Sequence, residues 1–333
     1  MMKRAAVIGL GTISEYHLSV LAENPNIELA AVCDCDESVR DKAPERVPFY
    51  TDYVDMIEKE KPDCVHLCLP HHLHVPVAEK AVEMGCHVFS EKPVALHAEQ
   101  AQEFARFEQA HPERKICICL QNRLNDTVET LKSIIESGEY GRVTGTYGIA
   151  PWSRTREYYE EKPWRAKWET AGGGCMINQA VHTLDLLYYL GGPIRSLKGS
   201  VSQLLDYGIE VEDTVSVRLD YENGAAGMLM ATNANFKNMS VQLVVQLEKA
   251  EFELADDKLY RIDGGRKELL AENERLPGAK FYFGVSHKKL INKFYEQLET
   301  DGDDYIHVKD AQMCIRLIDA IHQSSREKRT VEI

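Results

Sequence analysis

The feature that most constrains this chain is Gly9-Leu10-Gly11-Thr12-Ile13-Ser14. It sits between the apolar run Ala5 to Leu10 and a stretch with helical spacing at Ile13, Tyr16, Val20 and Leu21. A strand that turns sharply through glycines into a helix leaves the first helical N–H groups, and the positive end of the helix dipole, open to an anion. The first glycine permits the tight turn, and the second lets backbone approach a pyrophosphate. Ser14 stands where the usual pattern has a third glycine, and it is small enough for close packing. A second apolar run, Ile27 to Cys33, ends in Asp34, a carboxylate able to accept from a ribose 2′-hydroxyl and to repel a 2′-phosphate. Alone, the glycines describe only a turn. With strand, helix and acid they predict a dinucleotide site for NAD rather than NADP, built on Gly9, Gly11, Thr12, Ile13 and Asp34.

The rest of the first 120 residues fits such a unit, because short apolar runs alternate with helical patterns, as in a parallel sheet with crossover helices. Cys64 to Leu69 is one such run, stopped by Pro70. A helix is predicted from Val75 to Met84, ended by Gly85. The strand His87 to Phe89 leads into Glu91-Lys92-Pro93, followed by a helix from His97 to Ala110 and a strand from Ile116 to Leu120. Beyond Gln121 the pattern changes. A helix is predicted over Asp126 to Ser137, then antiparallel strands over Val215 to Tyr221, Ala226 to Thr232 and Val241 to Leu247, with Glu222-Asn223-Gly224 as a hairpin turn. Helices near Lys288 to Glu299 and Val308 to Gln323 precede a short strand at Val331. The fold class is α/β in two domains, 1–121 and 122–333, as suits a chain of 333 residues.

A formal net charge of −14 argues against nucleic acid or an anionic membrane surface as a partner. No apolar run approaches the roughly 20 residues that span a bilayer. Lys3 and Arg4 before an apolar stretch imitate a signal peptide, but Gly9 and Gly11 break the stretch; it reads as a first strand of a cytoplasmic protein. The nine cysteines are an odd number in a chain too long to need disulfides. Cys33 with Cys35, and Cys117 with Cys119, have the spacing of one strand face, and reduced core thiols are the expectation.

Lys92 follows a parallel strand, whose carboxyl end faces the ligand crevice in such sheets, so it is a candidate for proton transfer near the cofactor. An exposed surface lysine is the alternative. Gly172-Gly173-Gly174 leads into an apolar helix that is expected to carry Asn178 and His182 on one face, four residues apart. His71, His72 and His74 follow a strand end without carboxylate or thiolate at useful spacing, so no metal site is expected there. Tyr158, Tyr159, Trp164, Arg165 and Trp168 form an aromatic and basic stretch suited to sugar C–H faces and hydroxyls. Packing between secondary elements is its alternative use. Arg154, Arg156, Lys162, Arg165 and Lys167 alternate with Glu157, Glu160 and Glu161, as on a mixed solvated surface.

Taken in order, Gly9 to Ser14, Leu69-Pro70-His71-His72-Leu73-His74, Glu91-Lys92-Pro93, Gln121-Asn122-Arg123 and Gly172 to Asp185 resemble the glucose–fructose oxidoreductase / inositol dehydrogenase / rhizopine catabolism family. The resemblance spans nearly the whole chain. It implies a Rossmann domain followed by an α/β domain with an open, mostly antiparallel sheet. It further implies a catalytic Lys92, an acid/base His182, and a cofactor site extended by Leu69, Pro70, His71, His74, Glu91 and Gln121, with His74 beside the nicotinamide ribose. Substrate contacts would come from Asn178, Arg165, Trp164, Tyr159 and Arg123; Asn178 stands where many members carry aspartate. The implied reaction moves a hydride between a secondary hydroxyl of a sugar, polyol or sugar derivative and the nicotinamide, in a homodimer or homotetramer. Two other readings of the same fold are an NAD-using glycoside-cleaving enzyme and a nucleotide-sensing regulator. Lys92 and His182 together favour catalysis, since a sensor needs no proton relay.

Overall fold

The computed structural model describes residues 2–274 and 285–333. The chain divides into two compact units, the first made of residues 1–120 and 288–312, the second of residues 121–287 and 313–333.

In the first unit, β1 (Lys3–Ile8), β2 (Ile27–Cys33), β3 (Phe49–Tyr50), β4 (Cys64–Leu67), β5 (His87–Ser90) and β6 (Ile116–Ile118) form a sheet in the order β3-β2-β1-β4-β5-β6. Every pairing in it is parallel. The crossovers are α1 (Ser14–Glu23), α2 (Tyr53–Glu60), α3 (His74–Glu83) and α4 (Ala98–Ala110). Such strands are covered on both faces, and the burial of Ala5 to Ile8, Cys64 to Leu67 and Ile116 to Ile118 follows. The order reverses direction between β1 and β4, which makes their carboxyl ends the switch point where an open α/β sheet takes its ligand.

The second unit begins with α5 (Asp126–Ser137), β7 (Val143–Pro151), α6 (Arg156–Glu160), α7 (Trp168–Ala171), α8 (Cys175–Asn178) and α9 (Val181–Gly191). Then come β8 (Ile194–Ser202), β9 (Thr214–Tyr221), β10 (Ala226–Thr232), β11 (Gln242–Leu247), β12 (Glu251–Ala255), β13 (Lys258–Asp263) and β14 (Arg266–Glu272). The chain closes with α10 (Ser286–Thr300), α11 (Val308–Glu327) and β15 (Val331–Glu332). The nine-stranded sheet has the order β14-β13-β12-β11-β7-β10-β9-β8-β15 and is antiparallel except for β7 with β10. Helix α9 packs on one face: Gly148 of β7 has room for no side chain beneath Leu187 and Thr183. The other face stays open, with Tyr147, Met228 and Met230 exposed.

Three expectations need correction. The single cut at residue 121 is replaced by a division in which residues 288–312 return to the first unit. Phe294 tilts against Phe89 of β5, Tyr295 stacks on His66 of β4, and the Ile118 N–H donates to the Ile306 carbonyl. Periodicity marks α10 as a helix but not which sheet it covers. Secondly, the helix expected to carry both Asn178 and His182 is two helices, α8 and α9. The Ala180 N–H reaches back to the Cys175 carbonyl, five residues earlier, and regular helix resumes from Val181. Lastly, Cys35 lies past the end of β2 and is exposed, while the other eight cysteines are buried.

Candidate active site

The glycine turn after β1 is shaped by what lies beside it. Gly9 adopts φ +92°, and a Cβ there would stand 2.5 Å from the Cys68 carbonyl oxygen, so the turn requires glycine twice over. Gly11 has open space where its side chain would be, which leaves that backbone approachable. The Leu10 N–H donates to Asp34 Oδ2 at 2.7 Å, and the Asp36 N–H donates to Oδ1 at 3.0 Å. These bonds aim the carboxylate at the end of β2 toward the turn, and each oxygen keeps a lone pair for another donor. Ser14 is buried and donates its hydroxyl to the Gly11 carbonyl at 2.7 Å, the work done by close packing at the usual third glycine. No side chain caps the N-terminus of α1. An NAD pyrophosphate and adenine ribose fit this arrangement: a cradle a Cβ would fill, an uncapped helix end and an oriented acid.

Two more turns complete the carboxyl edge of this sheet. After β4, Leu69 and Pro70 lead into a 3-10 turn, His71–Leu73, where His71 is buried. After β5, Glu91 is buried and Lys92 half-buried, and the Lys92–Pro93 peptide is cis. His74 joins the two turns, with Nδ1 2.8 Å from the Pro93 carbonyl and Nε2 2.8 Å from that of Leu69. Burial lowers its proton affinity, while the two carbonyls oppose that shift. A neutral imidazole donates to one of these carbonyls at a time, and the buried ring stands between the Leu69 and Pro93 backbones.

In the second unit the Gly172–Gly174 loop wraps a carboxylate that sequence reasoning missed. Glu212 is buried and accepts from the Gly174 N–H at 2.9 Å and the Met176 N–H at 3.1 Å, while its own carbonyl accepts from the Cys175 N–H. A Cβ on Gly174 would lie 1.7 Å from the Glu212 carbonyl oxygen. His322 sets Nε2 3.4 Å from the same carboxylate, under an edge-on Trp168. This loop delivers Asn178 and His182, both half-buried. The only sequence hint was an acidic pair, Glu212-Asp213, between two strands, and nothing linked it to the glycines.

The aromatic stretch is also reassigned in part. Tyr159 is 5% exposed, packs with Ile209 and Val211, and its hydroxyl accepts from Asn233 at 3.1 Å, so it belongs to the core and not to a ligand surface. Burial raises its hydroxyl pKa to about 12. Arg165 donates to the Tyr158 carbonyl at 3.0 Å and stacks 4.1 Å over the Tyr158 ring, while its buried Nε has no hydrogen-bond partner among the described residues. The Trp164 ring centre lies 5.6 Å from that guanidinium. Gln179 and Asn233 then tie the hydroxyls of Tyr158 and Tyr159 together. Gln121 is buried at the start of the turn that holds Arg123. Arg123 grips Asp185 through two bonds of 2.8 and 2.6 Å, with the acid 1% exposed. Breaking a buried pair of this kind costs about 3–5 kcal/mol, so Asp185 holds the Arg123 guanidinium in place.

The two units correspond to two family descriptions. Residues 3–119 match "Oxidoreductase family, NAD-binding Rossmann fold", and residues 128–253 match "GFO/IDH/MocA C-terminal domain". The D-glucoside 3-dehydrogenase of Escherichia coli K12 is 24% identical over 99% of this chain and 97% of its own length. The inositol 2-dehydrogenase of Salmonella typhimurium is 29% identical over 57% of this chain and 55% of its own. Among solved structures, the WlbA dehydrogenase from Bordetella pertussis, in complex with NADH and UDP-GlcNAcA, superposes with a TM-score of 0.87 at 26% identity. That match covers 100% of this chain and 99% of the other. The fold and the glycine–acid cradle define an NAD-dependent oxidoreductase. The chain belongs to the glucose–fructose oxidoreductase / inositol dehydrogenase / rhizopine catabolism family.

Two outcomes follow from this geometry. Calorimetric titration should find NAD bound more tightly than NADP, with Asp34→Ala narrowing the gap; equal affinities in the wild type would contradict the role given to Asp34. Gly174→Ala should lower stability by about 3 kcal/mol or more in urea unfolding, because the overlap is with backbone that cannot turn aside. An unchanged midpoint would mean the loop does not depend on Glu212.

Proposed function

We propose that this protein oxidises a secondary hydroxyl of a sugar, polyol or sugar derivative, with Lys92 and His182 as its acid–base groups. The observation that carries the reading is the Glu91–Lys92–Pro93 turn. It stands at the carboxyl edge of β5, fastened by His74 to the turn after β4, on the same sheet edge as the Gly9 cradle. When bound, NAD supplies the hydride acceptor. Lys92 as a neutral amine takes the hydroxyl proton, and a half-buried lysine is the kind of group whose proton affinity a partly dry site can bring near neutrality. Asn178 orients the substrate hydroxyl or the His182 ring, and the Glu212-bound glycine loop fixes where both stand. The relatives named for D-glucoside and inositol oxidation support the substrate class.

Lys92→Met and His182→Ala should each keep NAD affinity and lose turnover on the order of a hundredfold or more against a panel of sugars and polyols. Rates near wild type in both variants would leave the reaction without its actors.

The assembly is proposed as a homodimer or homotetramer, supported by the exposed apolar side chains Tyr147, Met228 and Met230 on one sheet face. Light scattering should give a mass above one chain that falls to the monomer in Met228→Lys/Met230→Lys, and a monomeric wild type would contradict it. No helix of the described residues is long and apolar enough to cross a membrane. The nine free thiols suit a reducing compartment, which supports a cytoplasmic protein.

A further inference from the structure

Four side chains of the first unit form a buried string that the reaction above does not use. His17, on α1, sets Nε2 3.0 Å from Glu91 Oε1 and Nδ1 2.8 Å from Nδ1 of His66, on β4. His66 Nε2 lies 3.0 Å from the hydroxyl of Tyr295, on α10. Both imidazoles are wholly buried, and Tyr295 lines a surface cleft of about 270 Å³ with Val20, Asn292 and Glu296. His66 is stacked between Phe89 and Tyr295, with ring centres 5.0 and 5.8 Å away.

Counting hydrogens ties this string to the charge on Glu91. A neutral imidazole has one N–H and one acceptor nitrogen, and two Nδ1 atoms at 2.8 Å share one hydrogen. If His66 Nδ1–H donates to His17, the His17 hydrogen is on Nε2 and donates to a Glu91 carboxylate, while Tyr295 O–H donates to His66 and its oxygen lone pairs are left to the Cys64 thiol. If His17 Nδ1–H donates instead, a further proton must sit between His17 Nε2 and Glu91, either on the acid or on the ring as an imidazolium. The His66 tautomer and the presence of that proton are therefore one variable. The carboxylate arrangement is favoured because Glu91 also receives the Cys119 thiol, which burial keeps protonated. Burial pushes His66 well below the ordinary histidine range and holds the Tyr295 phenol protonated.

We propose that His17, His66 and Tyr295 are positioning residues that hold Glu91 as a fixed carboxylate immediately before Lys92. The proposal rests on Lys92 being the group that takes the substrate's proton. The lysine then exchanges its proton beside an anion that does not titrate with it. The other titratable groups facing Glu91 include Cys68 after β4, Cys119 after β6, His74 and His287. Burial keeps both thiols protonated and opposes charge on His74, so none of those three compensates for a change at Glu91. The string acts as a lock rather than a wire. Passing one proton along it would reverse every hydrogen, and resetting would require both buried rings to turn over, His66 against its stacking partners Phe89 and Tyr295.

The direct test is the nitrogen spectrum of the full-length protein labelled with 15N-histidine, assigned with His17→Gln and His66→Gln. His17 should be the Nε2–H tautomer and His66 the Nδ1–H tautomer, with no imidazolium signal from either between about pH 6 and 8. Reversed tautomers, or a charged ring in that range, would overturn the proposal whether or not any sugar is turned over. The kinetic arm uses the acid limb of kcat/KM, below which Lys92 is already protonated. His17→Leu removes the imidazole donor from the buried Glu91 and favours the neutral acid, so the limb should move to lower pH by about one unit. His17→Gln, whose amide can donate to Glu91, should restore it. A limb that stays in place in His17→Leu while rates fall evenly at all pH would reduce the string to packing. If His17→Leu does not fold, the wild-type spectrum decides. Failure of the wild type to oxidise any sugar would sink the dehydrogenase reading alone, and normal turnover with reversed tautomers would sink only the lock.

Discussion

The backbone of Gly9 passes so close to the Cys68 carbonyl that no side chain can stand between them. That contact joins the exit of β1 to the exit of β4, the two strands at which the sheet changes direction. Once the turn is set, α1 must start at Ser14, and three residues later its first turn carries His17 inward to Glu91. The same crowding that shapes a pyrophosphate cradle thus also fixes a partner for the acid beside Lys92. His74 applies the corresponding restraint from the other side, linking the Leu69 and Pro93 carbonyls across the turns after β4 and β5.

The second unit solves a similar problem with the roles exchanged. Its glycines admit not a ligand but Glu212, whose carboxylate caps the N–H groups at the start of α8. A negative charge at a helix N-terminus is favourable, and here it also sets the position of a short helix that propensity alone would not hold. The break between α8 and α9 places Asn178 and His182 on separate elements. Arg123 occupies the carboxylate of Asp185, three residues past His182, so the acid nearest in sequence is already bound to a guanidinium.

Local chemistry was legible in the sequence, and long-range partnership was not. The parallel sheet, the glycine turn and Asp34 could be read because strand–turn–helix geometry is written within some 30 residues. The helix Asp126–Ser137 and the strand Ala226–Thr232 fall where periodicity put them. The strand Arg266–Glu272 went unread, since it is exposed on both faces and shows no alternation. Tyr159 looked like a ligand residue because aromatic side chains serve packing and sugar binding equally well. Glu212, His66 and Tyr295 were invisible for another reason: their partners lie 38, 49 and 229 residues away, and a single chain carries no mark of such distances.

The central claim is that a hydride leaves a secondary carbon of a sugar or polyol for the nicotinamide. It is tested most directly with a substrate deuterated at the carbon oxidised, followed by mass spectrometry of the reduced cofactor. Deuterium should appear in the NADH, one atom per turnover, with a slower single-turnover rate than the unlabelled compound. NADH that stays unlabelled, or label recovered in water, would contradict the account.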